Sequence, residues 1–140
     1  MRDIINGLHP LRAISPVVIA DNTAAVSQII DVRGYESLGF LISTGDLADA
    51  DATFTVLVEH GDAANLSDAA AVPDSQLIGT EVLASFAFGD DNETRKIGYI
   101  GPKRYVRLTI TPAGNSGNAP ICAIAVLGNA HQQPTANPPV

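Results

Sequence analysis

The chain has 140 residues, enough for one domain of ordinary size that buries a hydrophobic core without disulfide bonds. Its formal net charge of −7 argues against a nucleic-acid-binding protein, which needs clustered Lys and Arg, and against an anionic membrane as partner. No apolar stretch reaches the ~20 residues of a membrane span, and the N-terminus lacks the basic-then-apolar order of a secretory signal. We therefore expect a protein made in the cytoplasm that partners neither nucleic acid nor membrane.

The first element is ambiguous in the sequence. Residues 1–15 carry apolar side chains without clean alternation, which fits either a first strand or an arm that orders against another chain. Exposed Ile and Leu side chains on such an arm need a partner surface to cover them. The candidate contact residues on this segment are Ile4, Ile5, Leu8 and Leu11. Deletion of residues 1–12 is then expected to weaken partner binding and to leave the remaining domain folded.

Three segments in the middle of the chain alternate apolar and polar residues with the period of two that indicates a half-buried β-strand. Their inward residues are predicted to be Leu38, Phe40 and Ile42; Phe54, Val56 and Val58; and Val106, Leu108 and Ile110. Weaker strand candidates are 16–20 and 24–32, predicted to pair around a turn at 21–23, together with 80–88 and 121–127. The segment 121–127 is apolar on both sides, which favours a central strand, and a helical turn is plausible only at 66–71.

The strand candidate 95–100 is followed by Gly101-Pro102-Lys103, which predicts a hairpin with the next strand. Five of the eight basic residues lie on this hairpin and are predicted to gather on one sheet face. They are Arg95, Lys96, Lys103, Arg104 and Arg107. The sequence leaves two interpretations open: a docking patch for an acidic partner surface, or a solvated face that balances the acidic loops.

About eight strands separated by turns rich in Gly, Asp, Asn and Ser predict an all-β domain. No alternation of strands and helices favours an α/β fold, so we expect an antiparallel β-sandwich or jelly-roll-like domain with extended termini. The predicted organisation is an N-terminal arm or first strand at 1–15, the sandwich at 16–130 and a Pro-rich tail at 131–140.

No side-chain pattern predicts catalysis or a cofactor. The histidines His9, His60 and His131 lack metal-ligand spacing, and the Asp-rich turns complete no calcium-loop pattern. Cys122 is the single cysteine and lies in an apolar run, so we predict a small buried hydrophobe rather than a nucleophile. Without a nucleophile elbow or a phosphate-binding loop, the sequence favours a binding or structural protein over an enzyme.

Several segments together resemble a family of small virion structural proteins of tailed bacteriophages and prophages. They span most of the chain, from about Asp21 to Pro139, and consist of strand-and-turn signatures. The matching segments are Gly34 to Leu38, Thr44-Gly45, Ala50 to Phe54, Val58 to Asp62, Leu66 to Ala69, Gly101 to Ile110 and Ala125 to Gly128.

This resemblance implies a capsid decoration, or cement, protein. Such a protein is expected to dock on the outside of the shell, to contact the major capsid protein, and to form a homo-oligomer, with a trimer favoured. Its location would be the outer surface of the virion after synthesis in the host cytoplasm. Two alternatives stay open: a tail or head–tail connector protein, and a carbohydrate-binding β-sandwich module.

Overall fold

The computed structural model describes residues 2–139, in which two antiparallel β-sheets pack face to face as a sandwich. The strands within these residues are β1 (His9–Ile19), β2 (Ala25–Val26), β3 (Ile30–Asp31), β4 (Tyr35–Thr44), β5 (Thr53–Gly61), β6 (Ala70–Ala71), β7 (Leu77–Ile78), β8 (Phe86–Ala87), β9 (Thr94–Tyr99), β10 (Tyr105–Ala113) and β11 (Ala119–Ala130). One 3₁₀ turn (Asp74–Gln76) and one short helix, α1 (Glu81–Ala84), complete the regular structure. The predicted all-β sandwich is confirmed, with about eleven strands instead of eight.

The two sheets differ in their strand order. The five-stranded sheet has the order β1-β11-β4-β9-β7, so the long strands β11 and β4 lie at its centre. The six-stranded sheet has the order β2-β10-β5-β6, with β3 also on β10 and β8 also on β5. Antiparallel pairing lets each sheet cover the core with one face and leave the other face free.

The core lies between the sheets and consists of the side chains that the alternation predicts. Leu38, Phe40 and Ile42 project inward from β4. The corresponding residues of β5 and β10 are at most 1% exposed. Large and small side chains alternate across neighbouring strands: Phe40 lies directly opposite Ala125, and Ile42 lies opposite Ala123. Each fully buried large side chain contributes roughly 1.5–3 kcal/mol by leaving water.

Side chains of α1 and its flank cover the free edge of β5. The Val58 N–H donates to Glu81 Oε1 (2.7 Å), and the Val56 N–H donates to Ser85 Oγ (2.9 Å). Thr80 begins the helix because its Oγ1 accepts the Leu83 N–H (3.1 Å), which is an N-cap hydrogen bond. An edge whose donors are already bonded is a poor template for another strand.

Two predicted hairpins are wrong. Strands β9 and β10 do not pair: β9 joins the five-stranded sheet and β10 the six-stranded sheet, so the chain crosses the sandwich between them. Likewise β1 pairs with β11, whereas β2 pairs with β10. Period-two alternation fixes which face of a strand is buried and leaves the choice of neighbouring strand to the packing of the whole domain.

The predictions for two loop segments also need correction. Residues 66–71, where a helical turn was plausible, form turns and the short strand β6. Residues 80–88, expected to be one strand, contain α1 and β8 instead, because the Thr80 cap starts a helix. Phe86 is buried as predicted, while Phe88 on the same predicted face is 41% exposed.

Both ends of the described chain lie against the same end of the sandwich. Strand β1 crosses the boundary expected at residue 15, and residues 9–15 are part of the five-stranded sheet. The Pro-rich segment packs back on the N-terminal turn: the Thr135 N–H donates to the Asn6 carbonyl (2.9 Å), and Thr135 Oγ1 also donates to the Leu8 carbonyl.

Candidate docking surface

The apolar residues of the N-terminal segment divide into two kinds. Ile4 and Ile5 are about two-thirds exposed, on a turn that the Asp3 carboxylate holds by accepting the Ile5 and Asn6 N–H groups (2.9 and 3.1 Å). Leu8 and Leu11 are half-buried, and Leu11 packs against the core of its own chain. Leu11 therefore has a partner within the sandwich, whereas the two isoleucines face solvent.

The five basic residues do not form one patch, because they lie on different sheets and on the crossing between them. Arg95 and Lys96 belong to the five-stranded sheet and Arg107 to the six-stranded sheet. Lys103 and Arg104 lie where the chain crosses from one sheet to the other.

Four of these five side chains are engaged by carboxylates of the same chain. Arg95 bonds Asp90 (2.8 Å) and Glu93, Lys103 bonds Asp62, Arg104 bonds Asp31 (2.8 Å), and Arg107 bonds Glu59 (3.0 Å). Arg104 donates two hydrogen bonds to Asp31, from Nε to Oδ1 and from Nη2 to Oδ2. These hydrogen bonds lower the pKa of Asp31. Within residues 2–139, Lys96 has no ionic partner. Among the five, it is the cation most available to another molecule.

The outward face of the six-stranded sheet is more polar, although it includes Leu57 and Val26, which is 54% exposed. Thr109 lies opposite Leu57 and Thr111 opposite Thr55 on β10 and β5. The next cross-strand pair is the ion pair of Arg107 with Glu59. Hydroxyl groups and a neutralised charge pair are well solvated, so this face needs less cover than the opposite one.

The outward face of the five-stranded sheet is apolar. We call it the apolar face and define it by Pro10, Leu41, Ile78, Leu83, Ile124 and Val126. Leu41 and Ile124 are direct cross-strand neighbours at its centre and are 47% and 45% exposed. Ile78 and Leu83 at one side are 63% and 70% exposed. Adjacent large apolar side chains at such exposure are a feature of interaction surfaces, whereas scattered ones are ordinary.

Two glycines shape a groove in the apolar face. Gly39 and Gly98 face each other across β4 and β9, between Leu41 and Ile78. The resulting depression has a volume of about 500 Å³. Ile78 lies over Gly98, where an added Cβ would come within 3.1 Å of it, so this glycine permits the close approach. Gly39 forms the open floor, since a Cβ there would be 3.8 Å from its nearest neighbour.

The apolar face extends toward the N-terminal segment. Pro10 and Val126 are cross-strand neighbours on β1 and β11, and they line a second depression together with Ile5, Leu8 and the tail. The sequence-predicted Ile5 is thus continuous with a surface that sequence reasoning missed. The outward orientation of Leu41 and Ile124 could have been predicted from the sequence, because alternate residues of a strand point to opposite faces and the neighbours of these two belong to the core.

Cys122 also belongs to this side of the sheet. It is half-buried on β11, directly opposite Ser43, so the prediction of a buried cysteine is wrong. The run 121–127 is apolar on both faces because one face forms core and the other is left uncovered. Its position is central, as predicted, between β1 and β4.

The remaining features of the described residues offer little reactive chemistry. A cavity of about 680 Å³ lies between β1 and residues 20–28, and its charged lining consists of Arg12 and Asp21. Within residues 2–139, no three His, Cys, Asp or Glu side chains are grouped to hold a metal ion. In the same residues, no helix is long and apolar enough to cross a bilayer.

The aromatic rings are mostly occupied inside the domain. Tyr99 is buried, Tyr35 stacks on His9 with ring centroids 5.5 Å apart, and the Arg104 guanidinium covers Tyr105 at 5.0 Å. Three of the four phenylalanines are buried, which leaves Phe88 as the exposed phenylalanine. Few ring faces are therefore free to stack on a ligand.

No protein-family model matches the chain, and no curated protein matches it significantly. Among solved structures, the sandwich is similar to VP2 of infectious bursal disease virus, in a subviral particle, with a TM-score of 0.56 and 11% identity over 91% of this chain and 33% of that one. It is also similar to the CBM22-1–GH10 modules of Clostridium thermocellum endo-1,4-beta-D-xylanase 10B, solved with xylohexaose. The TM-score is 0.53, with 13% identity over 95% of this chain and 28% of that one. The chain spans a third or less of the length of these two proteins.

A third similar structure is the capsid asymmetric unit of cyanophage Pam1, with a TM-score of 0.49 and 16% identity over 87% of this chain and 86% of that one. At that score the likeness carries no functional weight. At identities of 11% and 13%, the first two likenesses support the β-sandwich fold and leave function to the surface of this chain.

Proposed function

We propose that this chain is a capsid decoration protein of a tailed phage. It binds the outer surface of the head as a homo-oligomer, with a trimer favoured, and bridges subunits of the major capsid protein. It acts without catalysis or cofactor, and its location is the virion surface. A ligand that binds only the assembled shell stabilises that shell by mass action.

The observation that carries this proposal is the apolar face. One side of the sandwich is solvated by threonines and an ion pair, while the other presents Leu41, Ile124 and Ile78 to water. Such asymmetry is expected of a domain that lies with one side against a partner. The net charge of −7 further supports a position outside the shell, away from packaged DNA.

Other observations agree with a structural role. The segment resemblance to small virion proteins covers most of the chain, and the sandwich is a fold that VP2 of a viral subviral particle also uses. Ile4 and Ile5, exposed beside the apolar face, would add contacts at its edge. Strand β1 begins at His9, so substituting these two isoleucines tests the arm better than removing residues 1–12.

The test is binding of the purified protein to empty capsids of the phage that encodes it, measured by co-sedimentation. Wild-type protein should saturate the shell, and Leu41→Gln combined with Ile124→Gln should weaken binding at least tenfold. Leu57→Gln is the matched control, because Leu57 is the outward leucine of the opposite sheet. Absence of wild-type binding would overturn the proposed function, and equal losses in both variants would show that the apolar face is not the contact.

A further substitution blocks the groove without removing any side chain. Gly39→Gln places a side chain over the groove floor, where an added Cβ lies 3.8 Å from the nearest atom and therefore meets no clash. We expect weaker capsid binding with an unchanged melting temperature. Ile4→Ser with Ile5→Ser should give a smaller loss if the arm contributes at the edge.

The two alternatives make different predictions. Electron microscopy of virions carrying labelled protein separates head from tail, since label confined to the tail or one vertex supports a tail or connector protein. For the carbohydrate alternative, the similarity to a xylanase module is one of fold, and the rings of Tyr35, Tyr99 and Tyr105 are already occupied. A glycan array with specific binding would favour that alternative.

A further inference from the structure

Within residues 2–139, the outward strand positions of the apolar face carry no acidic side chain, although the chain has fifteen acidic residues. The outward positions on its four long strands include Pro10, Arg12 and Val18 of β1; Pro120, Cys122, Ile124, Val126 and Gly128 of β11; Ser37, Gly39, Leu41 and Ser43 of β4; and Thr94, Lys96 and Gly98 of β9. Two of these are cations and none is an anion. The apolar face is therefore locally positive, whereas the molecule as a whole has a net charge of −7.

The two cations stand in one line across the sheet. Arg12 pairs in register with Ile124, Ile124 with Leu41, and Leu41 with Lys96, so all four side chains share one transverse row. Three steps of about 4.8 Å between strands place the Cα atoms of Arg12 and Lys96 about 14 Å apart. The two apolar side chains lie between them.

Neither cation is neutralised within residues 2–139. Arg12 is exposed and donates from Nη1 to Ser15 Oγ (2.7 Å), a neutral partner. Lys96 is exposed and takes part in no ion pair of these residues. Most other basic side chains of the domain bond acidic neighbours, so these two charges are open to an external carboxylate.

We propose that the apolar face recognises a protein surface in which an apolar strip lies between two carboxylates. The strip covers Leu41 and Ile124, and the carboxylates pair with Arg12 and Lys96, which fix the register of docking. A second copy of this chain does not fit face to face, because that arrangement would oppose positive row to positive row without a carboxylate. This inference rests on the proposed function and specifies the chemistry of the capsid surface involved.

The experiment uses empty capsids of the encoding phage and three single charge reversals: Arg12→Glu, Lys96→Glu and Arg33→Glu. The last is the control, since Arg33 is exposed at the turn between β3 and β4 and each reversal changes the net charge equally. We expect at least a tenfold loss of affinity for Arg12→Glu and Lys96→Glu and less than a twofold change for Arg33→Glu. Wild-type binding should weaken with added salt, and the Arg12→Glu/Lys96→Glu double variant should lose that dependence.

The outcomes separate the two proposals. If the wild-type protein binds capsids and the three charge reversals all have the same effect on affinity, the recognition of carboxylates is overturned. The proposed decoration function is not affected by that result. Failure of the wild-type protein to bind capsids overturns both. Sedimentation of the protein alone adds a further check: an oligomer that Leu41→Gln dissociates would mean that a second copy covers the apolar face, which also overturns this inference. Unchanged melting temperatures of these surface variants establish that the fold is intact.

Discussion

At the scale of single residues, hydrogen bonds from side chains to β5 secure the open side of the six-stranded sheet. Glu81 reaches Val58 and Ser85 reaches Val56, two neighbours that share one side of the strand. These contacts join α1 to the core strand, although α1 itself has one turn and two strongly exposed residues, Val82 and Leu83. The helix is held in place by its polar side chains more than by its apolar ones.

Glu81→Ala is expected to lower the free energy of unfolding by about 1–3 kcal/mol, because the part-buried Val58 N–H loses its acceptor. Glu81→Gln keeps a carbonyl oxygen at the same reach and should cost much less. Urea unfolding at neutral pH measures both. Equal destabilisation by the two variants would mean that the charge of Glu81, and not its acceptor, is what stabilises the domain.

A second residue-scale contact joins the sheets through a histidine. His60 is buried at the end of β5, and its Nδ1 lies 2.9 Å from Tyr99 Oη of β9. The same hydroxyl accepts the Lys103 N–H (3.0 Å) and donates to the Lys103 carbonyl oxygen (3.3 Å), so it ties the crossing after β9 to the histidine. Burial lowers the pKa of His60, and the charge of Lys103 acts in the same direction, while Asp62 and Asp68 act against them.

Stability should therefore rise with pH just below the ordinary histidine pKa of about 6.5. Just below pH ~6.5, His60 is protonated in the unfolded chain but not in the folded chain. Raising the pH therefore increases the free energy of unfolding, and this increase is complete above pH ~6.5. Urea midpoints from about pH 5 to about pH 7 should increase for the wild type and increase less for His60→Gln. The carboxylates with lowered pKa, such as Asp31 and Asp49, act at more acidic pH. An identical slope in His60→Gln would contradict the assignment.

At the scale of elements, strand faces were predictable and strand partners were not. The inward residues of β4, β5 and β10 follow from alternation alone, because a half-buried strand has to place its apolar side chains on one side. The hairpins expected at Gly101-Pro102 and at Asp21 to Thr23 do not form, since the same alternation suits a neighbour in either sheet. The short strands β2, β3 and β6 have two residues each, too few for any period to be visible.

The difference between the two sides of a strand is measurable with one substitution type. Leu108→Ala in the core of β10, where the side chain is fully buried, should cost about 2–5 kcal/mol of unfolding free energy. Leu41→Ala on the outward side of β4, which is 47% exposed, should cost about 1 kcal/mol or less. Denaturant unfolding curves of the two variants give the comparison. A larger loss for Leu41→Ala would mean that the apolar face stabilises the isolated domain rather than a complex.

At the scale of the whole molecule, the candidate surface is a property of the assembled sheet. Ile4 and Ile5 were predicted from their apolar character and are exposed. Arg12 was not predicted, because the row that it forms with Ile124, Leu41 and Lys96 joins residues of four strands that only the fold brings together. Sequence proximity grouped the basic residues 95–107, whereas the fold separates them and neutralises all but Lys96 with acidic residues.

The pairing of β1 with β11 has a consequence for how the chain is made. These strands come from opposite ends of the sequence, and β11 is also the partner that joins β1 to β4. During synthesis, β1 and one side of β4 therefore stay without their neighbour until β11 has left the ribosome. Pairing of such distant segments is slow, since loop-closure entropy is lost before contacts form. The domain should thus complete its fold only once β11 has emerged, and a nascent chain that stops before Ala119 lacks the strand that closes the five-stranded sheet.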